Sequence, residues 1–120
     1  MAQSILVVDD EPGIRQTLQQ VLTGEQYDVL PASNALEALE ALAAQPVALA
    51  IVDLLLPDVN GLELAEAIRM LDPGTPVVLI TAYGTPAFET ISSHPSISTY
   101  LHKPFDIERL LEVVRRFVPR

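Results

Sequence analysis

The stretch Val47-Ala48-Leu49-Ala50-Ile51-Val52-Asp53 decides the fold. Its six apolar residues do not alternate with polar ones, so the segment reads as a strand covered on both faces rather than half-exposed to water. It ends abruptly in a carboxylate. A similar pattern opens the chain, where Ile5-Leu6-Val7-Val8 runs into Asp9-Asp10. Further apolar segments lie at Tyr27–Leu30, Val77–Ile80 and Ile97–Leu101. Between them the spacing turns helical. Ile14, Leu18, Val21 and Leu22 share one face after Pro12, with Gly24 as the stop, and Asn34 caps a helix carrying Leu36, Leu39 and Ala43. Leu64, Ile68 and Leu71 follow Gly61, and Ile107, Leu110, Leu111, Val114 and Val118 form the last stripe. Only Thr85–Ser98 resists this scheme, and a short helix over Pro86–Ser92 is expected there. Five strands alternating with helices imply an α/β fold, a doubly wound parallel sheet with helices on both faces.

Composition narrows the function. The 120 residues suffice for one domain, and 7 basic against 16 acidic residues leave a net charge of −9. An acidic surface argues against direct binding to phosphate backbones, and no basic patch is left for transcription control by these residues. The chain has no cysteine, which excludes disulfides and thiolate metal sites. No apolar run approaches the ~18 residues of a membrane helix. The first ten residues lack a basic region and soon reach two aspartates, so no signal peptide is expected. The chain is expected to be cytoplasmic, with no membrane association.

In open α/β sheets ligands bind beyond the carboxyl ends of the strands. That edge should gather Asp9 and Asp10 from the first strand, Asp53 from the third, Thr81 from the fourth and Lys103 after the fifth. Each has a bland reading: Asp10 or Glu11 can cap a helix, Asp53 can start a loop, and Thr81 alone says little. Lys103 is sharper, being the single lysine in the chain and preceding Pro104, which favours an extended backbone. Carboxylates crowded together raise one another's pKa unless a cation intervenes. A hard divalent ion such as Mg²⁺ suits an oxygen donor set. A metal and an ammonium flanking one carboxylate also suit phosphoryl transfer, with Asp53 as the best nucleophile.

Four segments carry a resemblance to the receiver domain of two-component response regulators. They are Val7-Val8-Asp9-Asp10-Glu11-Pro12, Asp53-Leu54-Leu55-Leu56-Pro57-Asp58-Val59-Asn60-Gly61, Ile80-Thr81-Ala82-Tyr83-Gly84 and Tyr100-Leu101-His102-Lys103-Pro104-Phe105. The resemblance spans residues 1–120 as one receiver domain and implies a flavodoxin-like (βα)5 fold with strand order 2-1-3-4-5. It further implies that Asp53 accepts a phosphoryl group from a sensor histidine kinase or phosphotransfer protein. Mg²⁺ would be held by Asp10, Asp53 and the backbone carbonyl of Leu55, with Asp9 acting through a bound water. Lys103 would pair with the phosphoryl group. Thr81 would turn towards it and Tyr100 would move inward, repacking the face of the fourth helix, fifth strand and fifth helix where a downstream protein binds; phosphorylation-dependent homodimers are a further expectation. Tyr100 can also be read simply as a half-buried strand aromatic.

Some positions depart from the family or tune it. Ser92-Ser93-His94-Pro95-Ser96 should leave the fourth helix short or irregular, since Pro95 cannot continue a helix. Leu55 and Tyr83, each two residues beyond a site residue, are bulky and are expected to slow hydrolysis of the acyl phosphate by restricting water. His94 and His102 lack ligand spacing and read as surface or turn residues. Two other functions compete. An aspartate-nucleophile phosphatase would want a second aspartate at position 55, which is Leu. A phosphorylation-independent interaction module would not need the acidic set, Thr81 and Lys103 together.

Overall fold

Two apolar strands side by side form the centre of the molecule. In the computed structural model, which describes residues 3–82 and 94–119, β1 (Ser4–Val8) pairs in parallel with β3 (Leu49–Asp53). Ile5–Val8 and Leu49–Val52 are each 0% exposed. At about 1.5–3 kcal/mol per buried aliphatic side chain, these strands outweigh the several kcal/mol that burying a carboxylate at their ends costs.

The remaining elements are α1 (Pro12–Gly24), β2 (Asp28–Ala32), α2 (Ala35–Ala44), α3 (Gly61–Leu71), β4 (Val77–Ala82), β5 (Thr99–Lys103) and α4 (Ile107–Phe117). All strands are parallel, in the order β2-β1-β3-β4-β5. This is the doubly wound arrangement expected. Period-2 geometry splits each central strand between two cores. Leu6, Val8, Ala50, Val52 and Leu79 pack with Ala35 and Ala38 of α2 and Leu64, Ala65 and Ile68 of α3. Ile5, Val7, Leu49, Ile51 and Ile80 pack on the other side with Leu18 and Leu22 of α1 and Leu110, Val113 and Val114 of α4. The expected helix at Pro86–Ser92 lies outside the described residues, as does Tyr83.

Several boundaries differ from the sequence reading for identifiable reasons. α1 ends at Gly24 as expected, but Gly24 is its last helical residue and the left-handed position after it is Gln26, at φ 71°. β2 runs to Ala32 through Pro31, which an edge strand tolerates although proline donates no ladder hydrogen bond. Tyr27 precedes β2, buried, and donates its hydroxyl to the Val118 carbonyl at 2.6 Å. β5 is displaced towards the site, because Lys103 pairs opposite Ala82 as its final residue rather than following the strand.

Candidate functional site

The carboxyl ends of β1, β3, β4 and β5 enclose a cavity of about 320 Å³ lined by Asp10, Glu11, Asp53, Leu54, Leu55, Thr81, Ala82 and Lys103. Strand register puts these groups there. Asp53 lies opposite Ile80 and Thr81 is one residue further along β4, while Lys103 closes β5. Asp9 follows β1 directly and its amide donates to the Ala32 carbonyl at 3.0 Å.

Lys103 reaches into the acidic group. Its Nζ lies 3.0 Å from Asp53 Oδ2, 3.5 Å from Asp9 Oδ2 and 3.6 Å from Glu11 Oε1. Asp9 has no exposed surface and Asp53 is 5% exposed, whereas Asp10 is open to solvent. Oxygen atoms of Asp9, Asp10 and Asp53 all lie within 4.8 Å of one another. Asp9 Oδ2 is buried and accepts no hydrogen bond. That orphaned oxygen, within an all-oxygen donor set, fits a small hard divalent cation. The capping explanation for Asp10 and Glu11 fails, because no side-chain hydrogen bond caps α1. Instead the Glu11 amide donates to Asp9 Oδ1 at 2.9 Å.

Electrostatics follow from this crowding. Burial pushes the Asp9 carboxyl above its ordinary 3.8; the Glu11 amide opposes the rise, the Asp53 charge adds to it, and Lys103 opposes it. For Lys103 burial alone would lower the pKa. The hydrogen bond and charge of Asp53, followed by the charges of Asp9 and Glu11, prevail and hold it above 10.5.

The raised Asp9 pKa has a measurable consequence. A carboxyl that holds its proton more tightly when folded stabilises the fold below its unfolded pKa, and this stabilisation disappears as the pH rises through the folded value. Asp9→Asn keeps an acceptor for the Glu11 amide and removes the charge. In EDTA at pH 7.5 its Tm should exceed wild type by about 3 °C, roughly 1 kcal/mol. The gap should close near pH 3.5. An unchanged Tm at pH 7.5 contradicts this account.

Thr81 and Tyr100 share a sheet face. Tyr100 pairs opposite Leu79, two residues before Thr81, and is half-buried against the α2–α3 core. His102 is opposite Thr81 on the same face, with its ring 5.3 Å from that of Tyr100 and edge-on to it. The surface or turn role expected for His102 is therefore wrong, because β5 extends past Leu101 and carries it inward. His94 does occupy a turn, its Nδ1 accepting the Ser96 amide at 3.1 Å. Leu55 is 71% exposed at the rim.

Three contributors escaped the sequence reading. Arg15 of α1 donates to the Asp9 carbonyl at 2.7 Å and so ties down the turn bearing Asp9 and Asp10. Asp58 accepts amides from α2. Gly61 passes so close to β3 that an added Cβ would overlap the Asp53 carbonyl oxygen and stand 2.8 Å from Leu54 Cα. Neither Arg15 nor Asp58 carries a local signal, since both act on residues of another element. Gly61, after Asn60, carried one that a helix start explained equally well.

Comparison with known proteins decides the family. Residues 5–115 match the family model described as "Response regulator receiver domain". The chain belongs to the response-regulator receiver family. This receiver is 32% identical over 119 residues to sporulation initiation phosphotransferase F of Bacillus subtilis, covering 99% of the chain and 96% of that protein. It is 41% identical over 112 residues to response regulator protein PilR of Pseudomonas aeruginosa, where the match covers 93% of this chain and 25% of PilR. Receivers thus match both nearly whole proteins and the minor part of longer ones. Among solved structures, chemotaxis response regulator CheY4 of Vibrio cholerae superposes with a TM-score of 0.89 at 28% identity, covering 98% of this receiver and 99% of that chain.

Proposed function

We propose that residues 1–120 form one phosphorylation-controlled receiver in which Asp53 takes a phosphoryl group from a phosphohistidine of a sensor kinase or phosphotransfer protein. The observation that carries this reading is the 3.0 Å contact between Lys103 Nζ and Asp53 Oδ2 inside a cavity that also holds Thr81 and further carboxylates. Asp10, Asp53 and the Leu55 carbonyl would hold Mg²⁺ directly, and Asp9 would act through water. When bound, the ion neutralises charge on the phosphoryl oxygens and orients them.

The chain's own residues do the rest. An Asp53 oxygen attacks phosphorus in line, the P–N bond of the donor breaks, and the imidazole nitrogen leaves with the electron pair. Lys103 stays beside Asp53 and stabilises the oxygens as charge shifts. The product is an acyl phosphate with about −1.5 to −2 charges and three strong acceptors. It favours the state in which the Thr81 hydroxyl donates to it, and Tyr100, on the same face, moves inward. Leu55 at the rim limits water and prolongs the acyl phosphate, and by its bulk and its position two residues after Thr81 Tyr83 is assigned the same role.

Output is a change in protein contacts along β5, α4 and the short helix expected from the sequence at Pro86–Ser92, to a downstream protein or a second copy of the receiver. Among the described residues no helix is long and apolar enough to cross a membrane.

The test is intact mass after incubation with acetyl phosphate, with and without Mg²⁺. Wild type should gain one Mg²⁺-dependent phosphoryl group and Asp53→Ala none. If wild type stays unmodified with both acetyl phosphate and a phosphohistidine donor, the domain is an interaction module instead.

A further inference from the structure

Asp58 sits at the far end of the loop that carries Leu55, yet its carboxylate serves a different helix. Oδ1 accepts the Ala35 amide at 3.0 Å and Oδ2 accepts the Leu36 amide at 3.1 Å. Oδ1 also accepts the Val59 amide at 3.0 Å. Asp58 is not needed as a cap for its own helix, because Asn60 Oδ1 already accepts the Glu63 amide at 2.8 Å. Nor does it stand in for a missing cap on α2, where Asn34 Oδ1 accepts the Glu37 amide at 2.8 Å. The carboxylate grips two successive amides across more than twenty residues of sequence. The Ala35 amide first, then that of Leu36, holds its pKa below 3.8, so it stays charged at neutral pH.

The loop itself is drawn tight at its base. The Gly61 amide donates to the Leu54 carbonyl at 2.7 Å, Leu55 and Asn60 form an antiparallel bridge, and the Leu55 amide donates to Asp53 Oδ1 at 3.0 Å. α2 is in turn joined to the opposite wall of the site, since the Ala32 carbonyl two residues before Asn34 accepts the Asp9 amide at 3.0 Å. The connections therefore run in a circuit: Asp9 to the end of β2, through the start of α2 to Asp58, and back along the loop to Leu55 and Asp53. Removing the Asp58 link opens that circuit, because among the described residues no other hydrogen bond joins the loop to α2.

We propose that Asp58 is a positioning residue for the metal site: by clasping the first turn of α2 it holds the loop so that the Leu55 carbonyl faces the cavity, which couples α2 to Mg²⁺ binding. This rests on Leu55 being a metal ligand, as read above. Coupling of this kind is reciprocal, so whatever stabilises the α2 clasp tightens metal binding, and metal binding stabilises the clasp. A protein that docks on the start of α2 therefore has a route to the phosphorylation site without touching it.

The experiment measures Mg²⁺ affinity of the whole chain by calorimetry and exchange of the Ala35 and Leu36 amides by NMR. Asp58→Ala should raise the Mg²⁺ Kd about tenfold, the scale typical of lost supports to metal ligands. Asp58→Asn retains one acceptor oxygen and should fall between. Tyr27→Phe removes a buried hydrogen bond to the Val118 carbonyl that involves neither the loop nor α2, so it should lower Tm and leave the Kd unchanged; a purely structural role predicts the same Kd change in both. In wild type, saturating Mg²⁺ should slow exchange at Ala35 and Leu36, a readout that requires no variant to fold. Wild-type affinity in Asp58→Ala, alongside binding that Asp53→Asn abolishes, overturns the positioning role alone. Absence of Mg²⁺ binding by wild type overturns the metal reading and this inference together.

Discussion

Replacing Lys103 with Met slows phosphorylation by acetyl phosphate about a hundredfold or more, the scale on which preorganised charge at a transferring group acts. Met keeps most of the aliphatic stem and removes only the ammonium, so the packing of the stem changes little. What changes is the balance at the centre. Among the described residues, Lys103 is the only cation paired with Asp9 or Asp53. Without it two buried carboxylates face Glu11 and Asp10 uncompensated. Removing one partner of a buried ion pair costs about 3–5 kcal/mol, and partial exposure of the Lys103 side chain reduces this to about 2 kcal/mol here.

The pH dependence gives the variant a signature. The ammonium's contribution is present while its carboxylate partners are charged, and at the alkaline end it disappears as pH rises through the elevated Lys103 pKa, above 10.5. In EDTA, Lys103→Met should therefore lose stability at pH 8, and part of the loss should vanish at acid pH, as the Asp9 carboxyl, whose pKa burial raises above 3.8, takes up its proton and no longer repels its neighbours. Mg²⁺ should restore part of the loss at pH 8 by binding the folded state. Equal Tm deficits at pH 4 and pH 8 would show that the lysine matters through its stem and not its charge.

Among the described glycines, Gly61 should be the one least able to accept a methyl, as Gly61→Ala. The new Cβ would overlap the Asp53 carbonyl oxygen and come within 2.8 Å of Leu54 Cα and 2.9 Å of the Asp53 carbonyl carbon. These are backbone atoms of the central strand, which cannot rotate aside. The expected cost is about 2–3 kcal/mol, or a Tm lower by about 10 °C. Whatever relaxation occurs moves Asp53, so phosphoryl acceptance should fall further than stability alone explains. Gly13→Ala is the matched control, because nothing lies within 4 Å of the Cβ it would add. It should be neutral or slightly stabilising. Similar Tm values for the two variants would refute the close-approach argument.

The same contrast explains what could be read in advance. Runs such as Ile5–Val8 and Leu49–Val52 carry a burial pattern that survives in any context, since a non-alternating strand needs apolar cover on both faces. Strand ends were less legible. β5 reaches Lys103 and not Leu101 because pairing with β4 continues to Ala82, and hydrogen bonding to a neighbour leaves no mark in local composition. The stop of α1 at Gly24 was legible, but the left-handed residue that turns the chain is Gln26, which local composition does not mark. His102 was read as ordinary because its partner Tyr100 and its neighbour across the ladder, Thr81, are brought together only by register.

By itself, the sequence determined the α/β architecture, the strand ends that carry carboxylates, and the family motifs at Asp9-Asp10, Asp53, Thr81 and Lys103. These are properties of residue type and spacing along one element. Tertiary structure alone decided that Arg15 holds the Asp9 carbonyl, that Gly61 lies against the Asp53 backbone, and that Asp58 clasps α2. It also decided which oxygens Lys103 meets. The physical reason is that hydrogen bonds and charge contacts depend on ångström-scale distances between elements far apart in the chain. Hydrophobic burial depends only on which face a residue occupies, and periodicity already records that.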